Sequence, residues 1–566
     1  MKIILAGINS KFIHSNPAIY SLAAYAGEYS DFIKLCEYTI NMPYDEIRGE
    51  LYRAVTEGEQ ASDGDGKVLM FSCYIWNISV VLDLVRDFKK LLPMAEIWLG
   101  GPEAGWRAKS ILAEYGELRG IFVGEGEASF KETARAYISG IRDLKSIKGI
   151  VFRSFDSGEI TDNGMPETVS MDDIPFWYRD EKTGHLKEIF ANRILYYESQ
   201  RGCPYRCSYC LSSIDKSVRF RSPEKVFDDI GFFLEERVKQ VKFIDRTFNC
   251  SPAHAIPILE FIRDHDNGVT NFHFEIEGDI LTDDEIRLLQ GLRPGLVQLE
   301  IGVQTVNSQT LEAVNRRNDI EGLKKNVAAL VKNRNIHIHL DLIAGLPYED
   351  AKSFENSFNE VYGMHPNELQ LGFLKVLHGS SIGEEAHKYG IVYSQTPPYE
   401  VLSTDRLSYS DILQLKKIER VLETYHNSMQ FSTALSCLEK LYDRPYDMYL
   451  ELAGYEEKTG YDRLNPSRLK KYELFYGFAS EKAPELKDVF ADALLYDLYL
   501  RENIRSLPNF AIARKSYSCI KQEGDRNLIH TGHFDYPVCA DVTFDYAHRD
   551  PVTGNATVTV CTTVST

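Results

Sequence analysis

The sequence predicts an α/β protein in three parts, and two observations carry that prediction. Short apolar runs alternate with helical patterns in two separate stretches, residues 1–139 and 194–380. Strands that alternate with helices imply parallel sheets with helices packed on their faces. Residues 140–193 lack that rhythm and read as a linker with a small hairpin, whereas residues 381–566 read as a mainly helical domain.

Size and charge narrow the function classes. The chain has 566 residues, 44% of them hydrophobic and 26% charged, an ordinary balance for a globular protein. Its net charge of −19 argues against a broad nucleic-acid footprint, which needs a basic face. No apolar run reaches the length of a spanning helix, so no membrane partner is expected. The N-terminal run Met-Lys-Ile-Ile-Leu-Ala-Gly is too short for a signal peptide and reads as a strand. Ten cysteines, seven of them scattered, fit a reducing cytoplasm rather than a disulfide scaffold.

In residues 1–139 the apolar runs fall at 2–6, 68–72, 96–99 and 120–123, with a helical pattern over Val80–Leu92. This spacing predicts a doubly wound, Rossmann-like domain, whose ligand sits beyond the carboxyl ends of the strands. Those ends carry Ser72-Cys-Tyr74, Gly100-Gly101-Pro102 and Gly124-Glu125-Gly126. Glycines there allow the backbone to approach a large ligand. A dinucleotide fingerprint is not met, because Ser129 stands where its third glycine belongs.

The second stretch opens on Cys203-Pro-Tyr-Arg-Cys207-Ser-Tyr-Cys210. Thiolates favour iron–sulfur clusters, and a four-iron cluster normally takes four of them. Three ligands leave one iron open to a second molecule. Structural zinc would need a fourth ligand, yet Cys250 and His185 both stand far along the chain. Six apolar runs follow the alternation: Ile194–Glu198, Val241–Ile244, Phe272–Ile276, Leu296–Ile301, Ile336–Ile343 and Glu368–Leu377. Ser222-Pro223 and Thr282-x-x-Glu285 mark helix starts between them.

The Cys-x3-Cys-x2-Cys spacing, with Tyr209 before the last cysteine, resembles the radical S-adenosylmethionine (SAM) enzymes. Gly302-Val-Gln304, then Arg316 twelve residues on, then Asp341 leading to Gly345-Leu-Pro, repeats the order of the coproporphyrinogen-dehydrogenase-like branch. The resemblance implies a partial (β/α)6 barrel; the stretch is too short for eight units, which need about 250 residues. It implies a [4Fe-4S] cluster on Cys203, Cys207 and Cys210 that cleaves SAM to a 5′-deoxyadenosyl radical. Arg316 would then pair with the methionine carboxylate, Glu275 with the amino group, and Gln304 and Asp341 with the ribose. Tyr209, Ile343 and Leu377 would border the adenine. The turn Phe243-Ile-Asp245-Arg246-Thr247-Phe248 resembles a family turn in which Arg246 replaces an acidic residue.

A doubly wound domain placed before such a core looks like the cobalamin-binding domain of cobalamin-dependent radical SAM enzymes. Ser72, Tyr74, Gly100, Gly101, Pro102, Gly124 and Glu125 would then cradle cobalamin. The Asp-x-His-x-x-Gly motif that supplies a histidine to cobalt is absent; His14 reads as a surface residue. The implied reaction is methylation of an unactivated carbon in a small-molecule or peptide substrate. Alternatives are an oxidative ring-forming cyclase, as in the magnesium-protoporphyrin ester cyclases, and a non-catalytic sensor. A flavodoxin or ferredoxin would supply electrons, and an exposed cluster implies an anaerobic cytoplasm. In residues 381–566, Ser410–Tyr425, Phe431–Leu441 and Leu486–Glu502 read as helices, with strand-like runs at Val538–Tyr546 and Ala556–Val560. No motif there names a substrate.

Overall fold

The computed structural model describes residues 2–57, 66–215, 217–504, 507–512 and 529–561. The chain divides into two compact units. The first comprises Met1–Phe274, Lys375–Ala386 and Tyr393–Glu400; the second comprises Glu275–Leu374, His387–Val392 and Val401–Thr566.

The first unit opens with a sheet whose strands are β1 (Lys2–Asn9), β2 (Ile33–Thr39), β3 (Lys67–Ser72), β4 (Glu96–Gly100), β5 (Leu118–Phe122), β6 (Ile150–Arg153) and β7 (Ile160–Asp162). Their spatial order is β2-β1-β3-β4-β5-β6-β7. The first five run parallel, and β6 and β7 add antiparallel. The central strands β1 and β3 are buried along nearly their whole length, which is why they read as unbroken apolar runs. Helix α1 (Pro17–Tyr25) starts on an Asn16 cap with proline at its first position. After α2 (Tyr44–Thr56), α3 (Ile78–Leu91) turns Ile78, Val81, Leu84, Val85 and Phe88 into the core.

Two features here differ from the sequence reading. The strand at Ile33–Thr39 escapes it, because polar Lys34 and Glu37 interrupt a run that lies at the sheet edge. The hairpin read as a linker is part of the first sheet: Ile121 pairs with Val151 and Val151 with Asp162.

Also in the first unit, β8 (Leu195–Tyr197) leads to the short antiparallel pair β9 (Gln200–Arg201) and β10 (Arg219–Phe220), which brackets the cysteine loop. Strand β11 (Gln240–Phe243) lies parallel between β8 and β12 (Asn271–Ile276). The chain passes into the second unit within β12. There β13 (Val297–Gln304), β14 (His337–Ala344) and β15 (Glu368–Phe373) run parallel in that order. The last strand ends at Phe373, so Leu377 stands in the loop beyond it rather than at a strand end. The rest of the second unit holds helices, among them Tyr409–Leu422, Pro445–Lys458, Arg468–Lys482 and Lys487–Arg501. It also holds an antiparallel sheet of Ile529–Phe534, Ala540–Arg549 and Ala556–Cys561. Among the described residues no helix is long and apolar enough to cross a membrane.

Candidate functional site

A cavity of about 450 Å3 opens in the first unit, over the carboxyl ends of β3, β4 and β5. Ser72, Tyr74, Gly100, Gly101, Pro102, Gly124 and Glu125 all line it. Glu198, Gln200, Arg201 and Gly202, the approach to Cys203, form part of the same wall. The turns that shape it have local causes. Gly101 has φ +100, and a Cβ there would come within 2.5 Å of the Cys73 carbonyl oxygen. Gly124 has φ +71, and a Cβ would meet Pro166 at 2.9 Å. These two glycines are therefore required first by the chain's own packing. Gly100 has room for a Cβ at ordinary contact with Phe122. Tyr74 stacks on Trp76 with ring centres 4.3 Å apart, which makes a flat aromatic step in the wall. His14 is engaged elsewhere, its Nδ1 2.6 Å from the Tyr196 hydroxyl.

Glu125 is less available to a ligand than its position suggested. Its carboxylate accepts from Arg201 at 3.1 Å and from Arg219. Arg201 also donates to Glu127 at 2.9 Å and to Glu198 at 2.7 Å. Burial pushes the Glu127 carboxyl up, but the Arg201 guanidinium outweighs it and leaves Glu127 below the usual carboxylate range. One arginine thus ties the β5 turn to the strand that enters the cysteine loop. The sequence reading missed Arg201, Glu127 and Glu198; the signal was an arginine immediately before Gly202-Cys203, with acidic residues at both flanking strand ends. Arg246 also lines the cavity, and among the described residues no ion pair or side-chain hydrogen bond engages it.

The cysteine loop rests on Asp245. One carboxylate oxygen accepts from the Ser199 N–H at 2.8 Å and the Gln200 N–H at 3.0 Å, and the Ser199 hydroxyl bonds to the other. His254 Nε2 lies 2.9 Å from that hydroxyl. Burial raises Asp245 to about 7 and lowers His254 to about 4. Gln200 donates to the Thr247 carbonyl at 2.6 Å, and the Cys203 sulfur lies 3.5 Å from the Thr247 hydroxyl. Cys203 and Cys207 are buried, Cys210 is half-buried, and none of the three is in a disulfide. Among the described residues no three His, Cys, Asp or Glu side chains converge at the spacing of a single ion. A four-iron cluster makes no such demand, since each thiolate binds a different iron. The donor set, three thiols in one loop with Cys207 and Cys210 joined by a backbone hydrogen bond of 3.1 Å, fits that group.

Tyr209 and Leu377 belong to the first unit; Glu275, Gln304, Arg316, Asp341 and Ile343 belong to the second. Within the second, Arg316 donates to Glu277 at 2.6 Å and to the Gly302 carbonyl. Both side chains of that pair are buried. Burial raises Glu277 to about 7 even against the pull of Arg316. Gln304 sits at φ +69 at the end of β13, a left-handed conformation unusual outside glycine. Its side-chain oxygen is buried without a hydrogen-bond partner among the described residues. Such an acceptor suits a hydroxyl donor, and a ribose supplies two. Asp341 and Ile343 share a face of β14, as the strand's period of two requires.

Residues 197–361 match the radical SAM superfamily, and residues 387–532 match a protein family of unknown function (DUF4080). The chain is 24% identical over 368 residues to the cobalamin-dependent radical SAM methyltransferase TokK of Streptomyces tokunonensis, covering 59% of this chain and 51% of that protein. It is 25% identical over 296 residues to the anaerobic magnesium-protoporphyrin IX monomethyl ester cyclase of Rubrivivax gelatinosus, covering 49% and 51%. The chain spans about half the length of these curated relatives. The solved structure of the cobalamin-dependent SAM radical enzyme OxsB superposes with a TM-score of 0.59 at 13% identity, covering 88% of this chain and 83% of that one. The radical SAM methyltransferase TsrM of Kitasatospora setae gives 0.55 at 17% identity, covering 70% and 77%.

Proposed function

We propose that this radical SAM chain is a cobalamin-dependent enzyme that methylates an unactivated carbon of a small-molecule or peptide substrate. The observation that carries the reading is the cavity. Its wall joins the strand-end turns of the first sheet to Glu198–Gly202, the residues that lead into the three cysteines. Cysteines 203, 207 and 210 would hold the cluster, and the turns at residues 72–74, 100–102 and 124 the corrin. The bound groups supply the electron that cleaves SAM and a carrier for the methyl group.

The chain's own residues do the rest. Arg201 and Asp245 fix the backbone at residues 199–201, on the approach to the cysteines. Leu5, Leu22, Met70 and Phe130 make part of the cavity wall apolar, a surface that disfavours water beside reactive species. In the second unit Gln304 and Asp341 would take the ribose hydroxyls, Glu275 the amino group and Arg316 the carboxylate. A flavodoxin or ferredoxin would deliver the electron. The relatives named as cyclases support a second reading, in which the same groups drive an oxidative ring closure.

The first test is iron, sulfide and cobalt per chain after anaerobic purification with cobalamin supplied. Occupancy by a four-iron cluster and one cobalt is expected; iron without cobalt overturns the cobalamin part. Serine at Cys203, Cys207 or Cys210 should abolish SAM cleavage, and retained cleavage refutes the cluster assignment. With methyl-labelled SAM, a product heavier by one labelled methyl supports methylation, and loss of hydrogens without label supports the cyclase.

A further inference from the structure

The face of β14 that carries Asp341 also carries His337 and His339. His339 is buried, and its Nε2 lies 3.0 Å from Asp341 Oδ1. The neighbouring strands add one carboxylate each in register: Glu300 of β13 and Glu368 of β15 both pair with His339 across the sheet. Glu368 lies 4.0 Å from His339 Nδ1 and 3.6 Å from His337 Nε2. Among the described residues, the titratable groups that flank His339 on its own and the two neighbouring strands are Asp341, His337, Glu300 and Glu368.

We propose that His339 is a positioning residue for SAM: its imidazolium, in ionic contact with Asp341 rather than hydrogen-bonded to it, favours the charged carboxylate there, and Glu368 in turn holds His339. The inference rests on the placement of SAM at Asp341 given above. Burial acts to discharge His339, but Asp341, Glu368 and Glu300 outweigh it and raise it to about 9. Burial likewise drives the Asp341 carboxyl up and leaves it above the usual carboxylate range even with His339 opposing. Take the imidazolium away, and burial, Glu300 and Glu368 all push Asp341 toward its neutral form. A neutral acid accepts fewer hydrogen bonds from a diol than a carboxylate does.

Equilibrium dialysis of SAM against anaerobic protein, with the cluster reconstituted and left oxidised so that no cleavage occurs, reads this directly. Between pH 6 and 8 wild-type affinity should change by less than about twofold, since a group titrating near 9 keeps its proton there. His339→Gln should bind SAM more weakly at pH 6 than at pH 8, because without its imidazolium partner the carboxyl is driven further toward its neutral form in acid. Glu368→Gln, which removes the carboxylate beside His339, should bind SAM with an affinity between those of wild type and His339→Gln at pH 6 and close to wild type at pH 8. Asp341→Asn separates the two layers. If it binds SAM like wild type at every pH, the placement of SAM fails and the proposal with it. If it weakens binding while His339→Gln keeps a flat profile, the SAM placement stands and the role of His339 is overturned. An unchanged near-ultraviolet circular dichroism spectrum and a single cooperative melting transition report that each variant retains its fold.

Discussion

Replacing Arg201 with methionine removes the one cation that Glu125, Glu127 and Glu198 share. Breaking a buried ion pair from one side costs about 3–5 kcal/mol, because the carboxylates stay behind unpaired. Here Glu125 keeps Arg219 and Arg201 is 19% exposed, so the loss is trimmed to about 2–4 kcal/mol. At about 2 °C per kcal/mol for a unit of this size, the melting midpoint falls by about 4–8 °C at pH 7.5. The partner matters as much as the arginine. Glu127 is held below its ordinary value in the folded chain, so its contribution is present above the unfolded carboxyl value of about 4.3 and fades as pH falls through the folded one. The gap between wild type and R201M therefore narrows in acid. Adding Glu127→Gln to R201M deletes the stranded charge and should recover about 1–2 kcal/mol, a coupling in the range found for contacting pairs. Calorimetric melting of the four proteins checks this. If R201M melts within about 1 °C of wild type, or if the two single losses simply add in the double variant, the network is not the clamp described.

Two further outcomes follow from the first unit. Gly101→Ala places a methyl group against the Cys73 carbonyl at positive φ, at a cost of about 2–5 kcal/mol; denaturant unfolding and cobalamin retention on a sizing column should both show the loss. Asp245, raised to about 7, binds its proton more tightly folded than unfolded, so its stabilising share is complete below about pH 4 and is lost as pH rises through 7. Asp245→Asn should flatten that slope in melting curves between pH 4 and 8, and an unchanged slope refutes the assignment.

The parts legible in the sequence were those with a local chemical signature. Unbroken apolar strands such as β1 and β3 announce a buried parallel sheet, and Thr282-x-x-Glu285 forms the capping box its spacing promises. Glycine pairs at strand ends located the cavity wall for the same reason, because positive φ is written in the residue type. Pairings across long separations left no such mark. Nothing near Glu125 in sequence says that Arg201 and Arg219 will claim it, and nothing near Arg316 says that Glu277 will. Ile33–Thr39 was missed because an edge strand needs only one apolar face. His339 was overlooked although His-x-His-x-Asp lies on one strand face; its meaning depends on Glu300 and Glu368, which only the sheet brings alongside.

The first unit is not built from a continuous stretch of chain. It needs Tyr393–Glu400, a segment that falls inside the match to the family of unknown function, and there Tyr399 donates to the buried Glu103 and accepts from Arg107 at 3.2 Å. During synthesis the ribosome must therefore travel from Phe274 to Glu400 before Glu103 meets Tyr399, a wait of about 6–25 s at ordinary elongation rates. Throughout that interval Glu103 has Arg107, four residues on, but not the Tyr399 hydroxyl. The same geometry fixes where the gene can be cut: a fragment ending at residue 361, where the radical SAM match stops, omits two of the three pieces from which the first unit is made.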